Sequence, residues 1–269
     1  MKRYFSFFFF FSMFLCGALI LAGCGKKSTS GKFRVGVIAG PEEQLAEVAV
    51  KIARERHGVN VELVIFSEYT TPNAALADGS LDANAFQHRP FLERQIADRG
   101  YKLVVAGNSF VYPIAGYSRK IKTLAELPDR AQVALPNDPS NLGRALLLLA
   151  KQGLITLRTG AGADATTLDI ATNPKNLRFV ELEAAQLPHA LPDVSLAIIN
   201  TTYASQAGLT PTRDGLFVED KDSLYVNLIV TQAGRENDPA VRAFVQSYQT
   251  EEVWQAAQKL FPDSVVKGW

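Results

Sequence analysis

The chain has 269 residues, of which 47% are hydrophobic and 20% charged, with a formal net charge of +1. That is enough apolar material for a sizeable core, which excludes a disordered chain, and the near-neutral balance excludes a nucleic-acid binder held by electrostatics. Two cysteines and three histidines exclude a disulfide framework and a Cys/His zinc site of common spacing, while the length predicts two modest domains or one large α/β unit.

Seven of the 16 Phe, both Met and one Cys fall in the first 23 residues. Lys2 and Arg3 make a positive start, residues 4–20 are apolar, and Leu21-Ala22-Gly23-Cys24 ends the run with small residues before a polar stretch. This pattern predicts a secretory signal over residues 1–23. The alternative is an uncleaved anchor, since the run is nearly long enough to span a bilayer. Leu21 to Cys24 resembles the lipobox of bacterial lipoproteins, in which the cysteine thiol, a strong nucleophile, receives lipid and becomes the first mature residue. The mature chain would then have 246 residues, a net charge of −1, no Met and a single cysteine, Cys24, committed to lipidation. Two or more acyl chains make a durable membrane attachment. Residues 24–31 read as a lipidated flexible tether, so the expected location is extracytoplasmic, on the periplasmic face in a bacterium with two membranes.

Residues 33–39 predict a buried strand. Pro41, Glu42 and Glu43 then suit the first turn of a helix. Leu45, Val48, Ala49, Ile52 and Ala53 recur on one helical face, Gly58 closes that helix, and 59–66 predict a second strand, completing a βαβ unit. A short helix over 73–76, a strand over 81–86, a helix over 90–99 and a strand over 101–106 follow. After a connector with a short helix at 118–127, the pattern predicts a strand at 132–135, a helix start at Asp138-Pro139 and an apolar helix to about residue 152. Strands are predicted at 177–182, 194–199 and 225–231, and helices at 239–248 and 251–260. This alternation argues α/β with largely parallel sheets.

Phosphate-loop, H-E-x-x-H, G-x-S-x-G and C-x-x-C motifs are absent. Residues 160–165 match G-x-G-x-x-A, but with only a short apolar run before them and no apolar helical face after them they read as a loop. Residues 136–144 place several polar side chains and Arg144 in the first turn of a helix. A cation there suits an anionic ligand, because the guanidinium fork matches a carboxylate; pairing with a surface Asp or Glu is an equal alternative. Asn200 and Asn227 are amides in apolar strands that suit the α-ammonium and α-carboxylate of an amino acid, or else tie two loops together. Tyr69, Phe86, His88, Phe91 and Tyr112 lie near strand ends, where open α/β sheets place ligands; core packing is the alternative for each aromatic.

The lipobox, Asp82-Ala83-Asn84-Ala85-Phe86-Gln87-His88, Tyr112-Pro113-Ile114-Ala115-Gly116-Tyr117-Ser118, the segment 137–144, Asn200-Thr201-Thr202-Tyr203-Ala204, Tyr225-Val226-Asn227 and Val266-Lys267-Gly268-Trp269 occur in an order that resembles the methionine-binding NlpA lipoproteins of methionine ABC importers. The resemblance implies a two-lobed α/β substrate-binding protein of the periplasmic type, with the ligand in the cleft between lobes. Lobe one would be 32–113 plus 229–269 and lobe two 118–224, hinged near 112–117 and 225–228. It implies that Arg144 and Asn141 hold a carboxylate, that Asn200 and Asn227 hold the amino-acid backbone, and that Tyr69, Phe86, His88 and Phe91 form the side-chain pocket, with Tyr112 nearby. Many relatives carry tyrosine where this chain has Phe91, so a hydroxyl role is in doubt at that position. The implied partners are methionine, an ABC permease with its ATPase subunits, and a membrane reached through lipid on Cys24. A monomer without cofactor, metal, nucleic acid or catalysis is expected. A lipoprotein hydrolase using His88, or a surface interaction lipoprotein, are the competing functions.

Overall fold

Gly40, at φ 106°, turns strand β1 (Phe33–Ile38) directly into helix α1 (Pro41–His57), a backbone conformation that suits a residue without Cβ. Pro41, Glu42 and Glu43 fill the first turn, and Gly58 ends the helix in the left-handed region. The computed structural model describes residues 31–220 and 224–269. The signal, Cys24 and all of the tether but Gly31 lie outside the described residues.

The chain continues through β2 (Val61–Phe66), α2 (Pro72–Ala77), β3 (Ala83–His88), α3 (Arg89–Arg99) and β4 (Leu103–Val111). It passes to a second sheet with β5 (Ala115–Tyr117), β6 (Gln132–Pro136), α4 (Pro139–Lys151), a small pair β7 (Thr156–Leu157) and β8 (Ile170–Thr172), and β9 (Arg178–Leu182). Next come α5 (Leu187–Ala190), β10 (Leu196–Ile199), α6 (Thr201–Gln206), α7 (Pro211–Asp214) and β11 (Phe217–Val218). The chain returns with β12 (Val226–Gln232), α8 (Pro239–Tyr248), α9 (Glu251–Leu260) and β13 (Val266–Lys267).

The first sheet has the order β13-β4-β12-β3-β1-β2 and the second β11-β5-β10-β6-β9. Both are mixed, which corrects the expectation of largely parallel sheets. Within each βαβ run the pairing is parallel, as for β1 with β2 and β3, and for β6 with β9 and β10. The exceptions arise where the chain crosses between sheets. β12 comes back from the second sheet, inserts between β3 and β4, and runs antiparallel to both. β5, the entering strand, is antiparallel to β10 and β11. A crossover helix enforces parallel pairing only for the strands it joins.

Each sheet carries its own core, so the fold is two-lobed. Val35, Val37, Leu45, Phe244 and Tyr248 pack under the first sheet, and Leu135, Leu146, Leu149, Leu196 and Ile198 under the second. A third cluster draws on both: Ile38, Phe86 and Phe91 from the first lobe meet Ala134, Ile199 and Tyr203 from the second.

Residues 160–165 form the expected loop and brace α4. A Cβ on Gly143 would stand 2.0 Å from the carbonyl oxygen of Ala163, whereas one on Gly162 would meet nothing within 4 Å. Gly143→Ala is therefore expected to lower unfolding free energy by about 1–3 kcal/mol, with Gly162→Ala within about 0.5 kcal/mol of the native chain, as read by urea denaturation.

Candidate functional site

The first turn of α4 organises a polar junction between the lobes. Asp138 caps the helix: its Oδ1 accepts from the Asn141 backbone N–H and from Ser140 Oγ, both at 2.9 Å. Asn141 Nδ2 donates to Asp138 Oδ2 at 3.0 Å, so the amide is oriented with its oxygen outward. That oxygen accepts from Asn200 Nδ2 at 2.8 Å and faces His88 Nε2 at 3.2 Å. His88 lies at the end of β3 and caps α3, its Nδ1 accepting from the Phe91 N–H at 3.3 Å. With Nδ1 an acceptor, a neutral ring carries its proton on Nε2 and donates it to Asn141. Burial, then the neighbouring Arg144 cation, push the His88 pKa down to about 3. Burial also raises the Asp138 carboxyl above its ordinary value.

Arg144, one turn further along α4, is 3% exposed. Its guanidinium carbon sits 4.3 Å above the Tyr225 ring. Nε donates to Glu219 Oε1 at 2.9 Å, and Nη2 donates to Glu219 Oε2 and, at 3.0 Å, to the Tyr112 carbonyl. Of the two sequence readings of Arg144, pairing with an acid is the one seen, and Glu219, 13% exposed, is a half-buried partner rather than a fully exposed one. An Arg this buried without a countercharge would be strongly destabilising. Among the described residues no hydrogen bond uses Arg144 Nη1.

Asn227, opposite His88 in the β12–β3 register, donates from Nδ2 to the Phe86 carbonyl at 3.0 Å. Asn200 directly follows β10 at the start of α6; its Oδ1 is buried and without a partner among the described residues. Tyr69, on the turn between β2 and α2, has its ring centroid 6.0 Å from Phe86, 6.1 Å from Phe91 and 4.9 Å from Tyr203. Phe86 and Phe91 meet edge to face at 5.9 Å. These separations lie within the range of favourable aromatic pairing.

All nine sequence-predicted residues, Tyr69, Phe86, His88, Phe91, Tyr112, Asn141, Arg144, Asn200 and Asn227, line one cavity. Gln87, Thr201 and Thr202 line it too and were missed, although all three stand beside chosen residues at strand ends. Glu219 was also missed: it is 75 positions from Arg144, and no local pattern marks it. One end of the cavity offers a cation and amide donors and acceptors, the other an aromatic wall. This arrangement can hold a carboxylate and a polar backbone at one end and an uncharged, polarizable side chain at the other. Among the described residues no His/Cys/Asp/Glu cluster could hold a metal ion, and no helix is long and apolar enough to cross a membrane.

Residues 33–269 match the NlpA lipoprotein family. The chain belongs to that family. Over 258 residues this NlpA lipoprotein is 60% identical to the D-methionine-binding lipoprotein MetQ of Salmonella typhimurium, with 95% of each chain covered. It is 57% identical over 252 residues to outer membrane lipoprotein 3 of Mannheimia haemolytica, covering 94% of this chain and 95% of that one. Among solved structures it resembles the methionine binding protein MetQ, with a TM-score of 0.87 at 60% identity over 88% of this chain and 98% of that one. A nutrient binding protein from Burkholderia cenocepacia, bound to methionine, matches with the same TM-score at 48% identity, covering 88% of this chain and all of the other.

The depressed His88 value has a sign. Below the ordinary imidazole value of 6.5 the unfolded chain takes up a proton that the folded chain refuses until about pH 3. The stability contributed at this site is complete above about 6.5 and is lost as pH falls towards 3. The His88 ring nitrogens are expected to keep the NMR shifts of the neutral Nε2–H tautomer from pH 8 to pH 5; a titration near 6.5 would contradict the assignment.

Proposed function

We propose that this NlpA lipoprotein is a lipid-anchored, extracytoplasmic substrate-binding protein that captures methionine between its lobes and delivers it to an ABC permease and its ATPase subunits, without catalysis of its own. The observation that carries the reading is a single interlobe cavity with Arg144 and buried amides at one end and an aromatic wall at the other. It works as a monomer, anchored through lipid on Cys24. The lobes divide as 32–113 plus 229–269 against 118–224, hinged near 112–117 and 225–228, where the chain passes from one sheet to the other.

In this reading Arg144 Nη1 receives the methionine carboxylate, with Glu219 holding the guanidinium in place from behind; Asn141, expected to share that carboxylate, presents only an acceptor oxygen and instead holds Asn200 and His88 in position. The partnerless Asn200 Oδ1 accepts from the α-ammonium, and Asn227 supports the same backbone. Hydrogen bonds to charged groups contribute about 1.5–3 kcal/mol each. The thioether enters the box of Tyr69, Phe86, His88 and Phe91, where sulfur–aromatic contacts are worth about 0.3–1.5 kcal/mol each without a paired charge. Keeping His88 neutral suits that role, because an imidazolium would need a counterion in the box. The neutral ring also argues against the hydrolase reading. Its hydrogen bonds go to an amide and a backbone N–H rather than to a hydroxyl or thiol nucleophile, and a pKa of about 3 makes it a weak base.

Mass spectrometry of the gently purified protein is expected to show one methionine per chain. Asn227→Ala and Arg144→Ala should each weaken methionine binding by about tenfold to a hundredfold, the equivalent of one charged hydrogen bond, with circular dichroism unchanged. Near-native calorimetric affinity in both variants would reject this assignment of the site. Cys24→Ala should move the protein from the membrane to the soluble fraction.

A further inference from the structure

One buried acid has no part in the site as described. Glu42, in the first turn of α1, is 1% exposed. Thr202 Oγ1 donates to its Oε1 at 2.6 Å, and its Oε2 has no hydrogen-bond partner among the described residues. The bond joins the lobes: α1 follows β1 in the first sheet, whereas Thr202 lies on α6, which follows β10 in the second. A second bond runs beside it, from Gln206 Nε2 of α6 to the Ala39 carbonyl at 2.8 Å. Thr202 also lines the ligand cavity, so this seam borders the binding site.

The groups facing Glu42 are neutral. Tyr69 from the turn before α2, Tyr112 after β4, Tyr203 of α6 and Tyr248 of α8 all feel its charge. Among the described residues no Lys, Arg or His forms an ion pair with it. A carboxylate buried in this seam with one oxygen lacking a protein partner is unfavourable, and such a group tends to neutralise. Burial raises the Glu42 pKa to about 7, against the opposing pull of the Thr202 bond and of its own backbone N–H.

We propose that Glu42 and Thr202 form the latch of the closed state, and that closing the lobes on ligand takes up one proton at Glu42. The inference rests on the two-lobed methionine clamp proposed above. When the lobes part, Thr202 withdraws, water reaches the carboxyl, and its ordinary value of 4.5 returns. Between 4.5 and about 7 the closed form therefore holds a proton that the open form has released. Affinity is highest in acid, falls as pH rises through this window, and levels off above it.

The test is calorimetric titration of methionine into the ligand-stripped full chain in detergent, from pH 5 to pH 8, in pairs of buffers with different ionisation enthalpies. Near pH 6 the native protein should take up close to one proton per methionine, and affinity should weaken by about tenfold or more between pH 5 and pH 8, within the one-proton limit of about tenfold per pH unit. Glu42→Gln keeps an oxygen for Thr202 and cannot titrate; it should abolish the uptake, flatten the profile and bind more tightly than the native chain at pH 8. Thr202→Val, lacking the donor that favours the charged form, should extend uptake to higher pH. Flat native affinity without proton uptake, or uptake that persists in Glu42→Gln, overturns the latch while leaving the methionine reading intact. Absence of methionine binding at every pH rejects that reading and the latch with it.

Discussion

The side-chain amide of Asn141 holds the two halves of this protein in register. Its nitrogen is spent on the Asp138 helix cap, so its oxygen must point across the cleft, where it meets Asn200 of its own lobe and His88 of the other. A side chain fixed at one end by a helix cap has little freedom at the other. His88 is fixed in the same way, its Nδ1 spent on capping α3. At two helix N-termini, one from each lobe, the cap of α3 and the amide held by the cap of α4 therefore meet, and the cavity lies beside them.

The electrostatics of the cavity follow from this crowding. Arg144 is brought in beside His88 by one turn of α4, and its charge helps to keep the imidazole neutral. Glu219 and the Tyr225 ring absorb part of the guanidinium field from behind. A buried cation held from one side by a fixed countercharge can meet an anion without reorganising, which is what the proposed carboxylate role asks of Arg144. The aromatic wall is apolar for a matching reason: Tyr69, Phe86 and Phe91 of one lobe and Tyr203 of the other pack on one another, so each ring buries its neighbour's surface.

Much of this was legible in the chain before any coordinates. Pro41 and Gly58 mark the ends of α1, Asp138-Pro139 the start of α4, and α8 and α9 begin and end as their patterns predict. Arg144 stood out as a cation expected in the first turn of a helix, although α4 begins at Pro139 and sets it in the second turn, and Asn227 because an amide interrupts an apolar strand. Other features left no such mark. β5, β11 and β13 span two or three residues each, too few for a period to register. β4 extends to Val111 through a Gly-Asn-Ser stretch with weak strand preference, because pairing with β12 supplies what propensity does not.

By itself the sequence determined what depends on near neighbours along the chain: helix starts and stops, the apolar faces, the α/β class, the polar residues out of place in apolar company, and, through whole-chain motif order, the family. The tertiary structure alone decided what depends on partners distant in sequence. β12 inserts antiparallel between β3 and β4 because the chain returns from the other lobe. Glu219 pairs with Arg144 across 75 residues, and Thr202 with Glu42 across 160. Periodicity and capping are local signals carried by a few consecutive residues. A countercharge or a buried bond between lobes exists only once the chain has closed on itself, so Glu42, an ordinary first-turn acid in the sequence, becomes a sealed and protonatable group only in the fold.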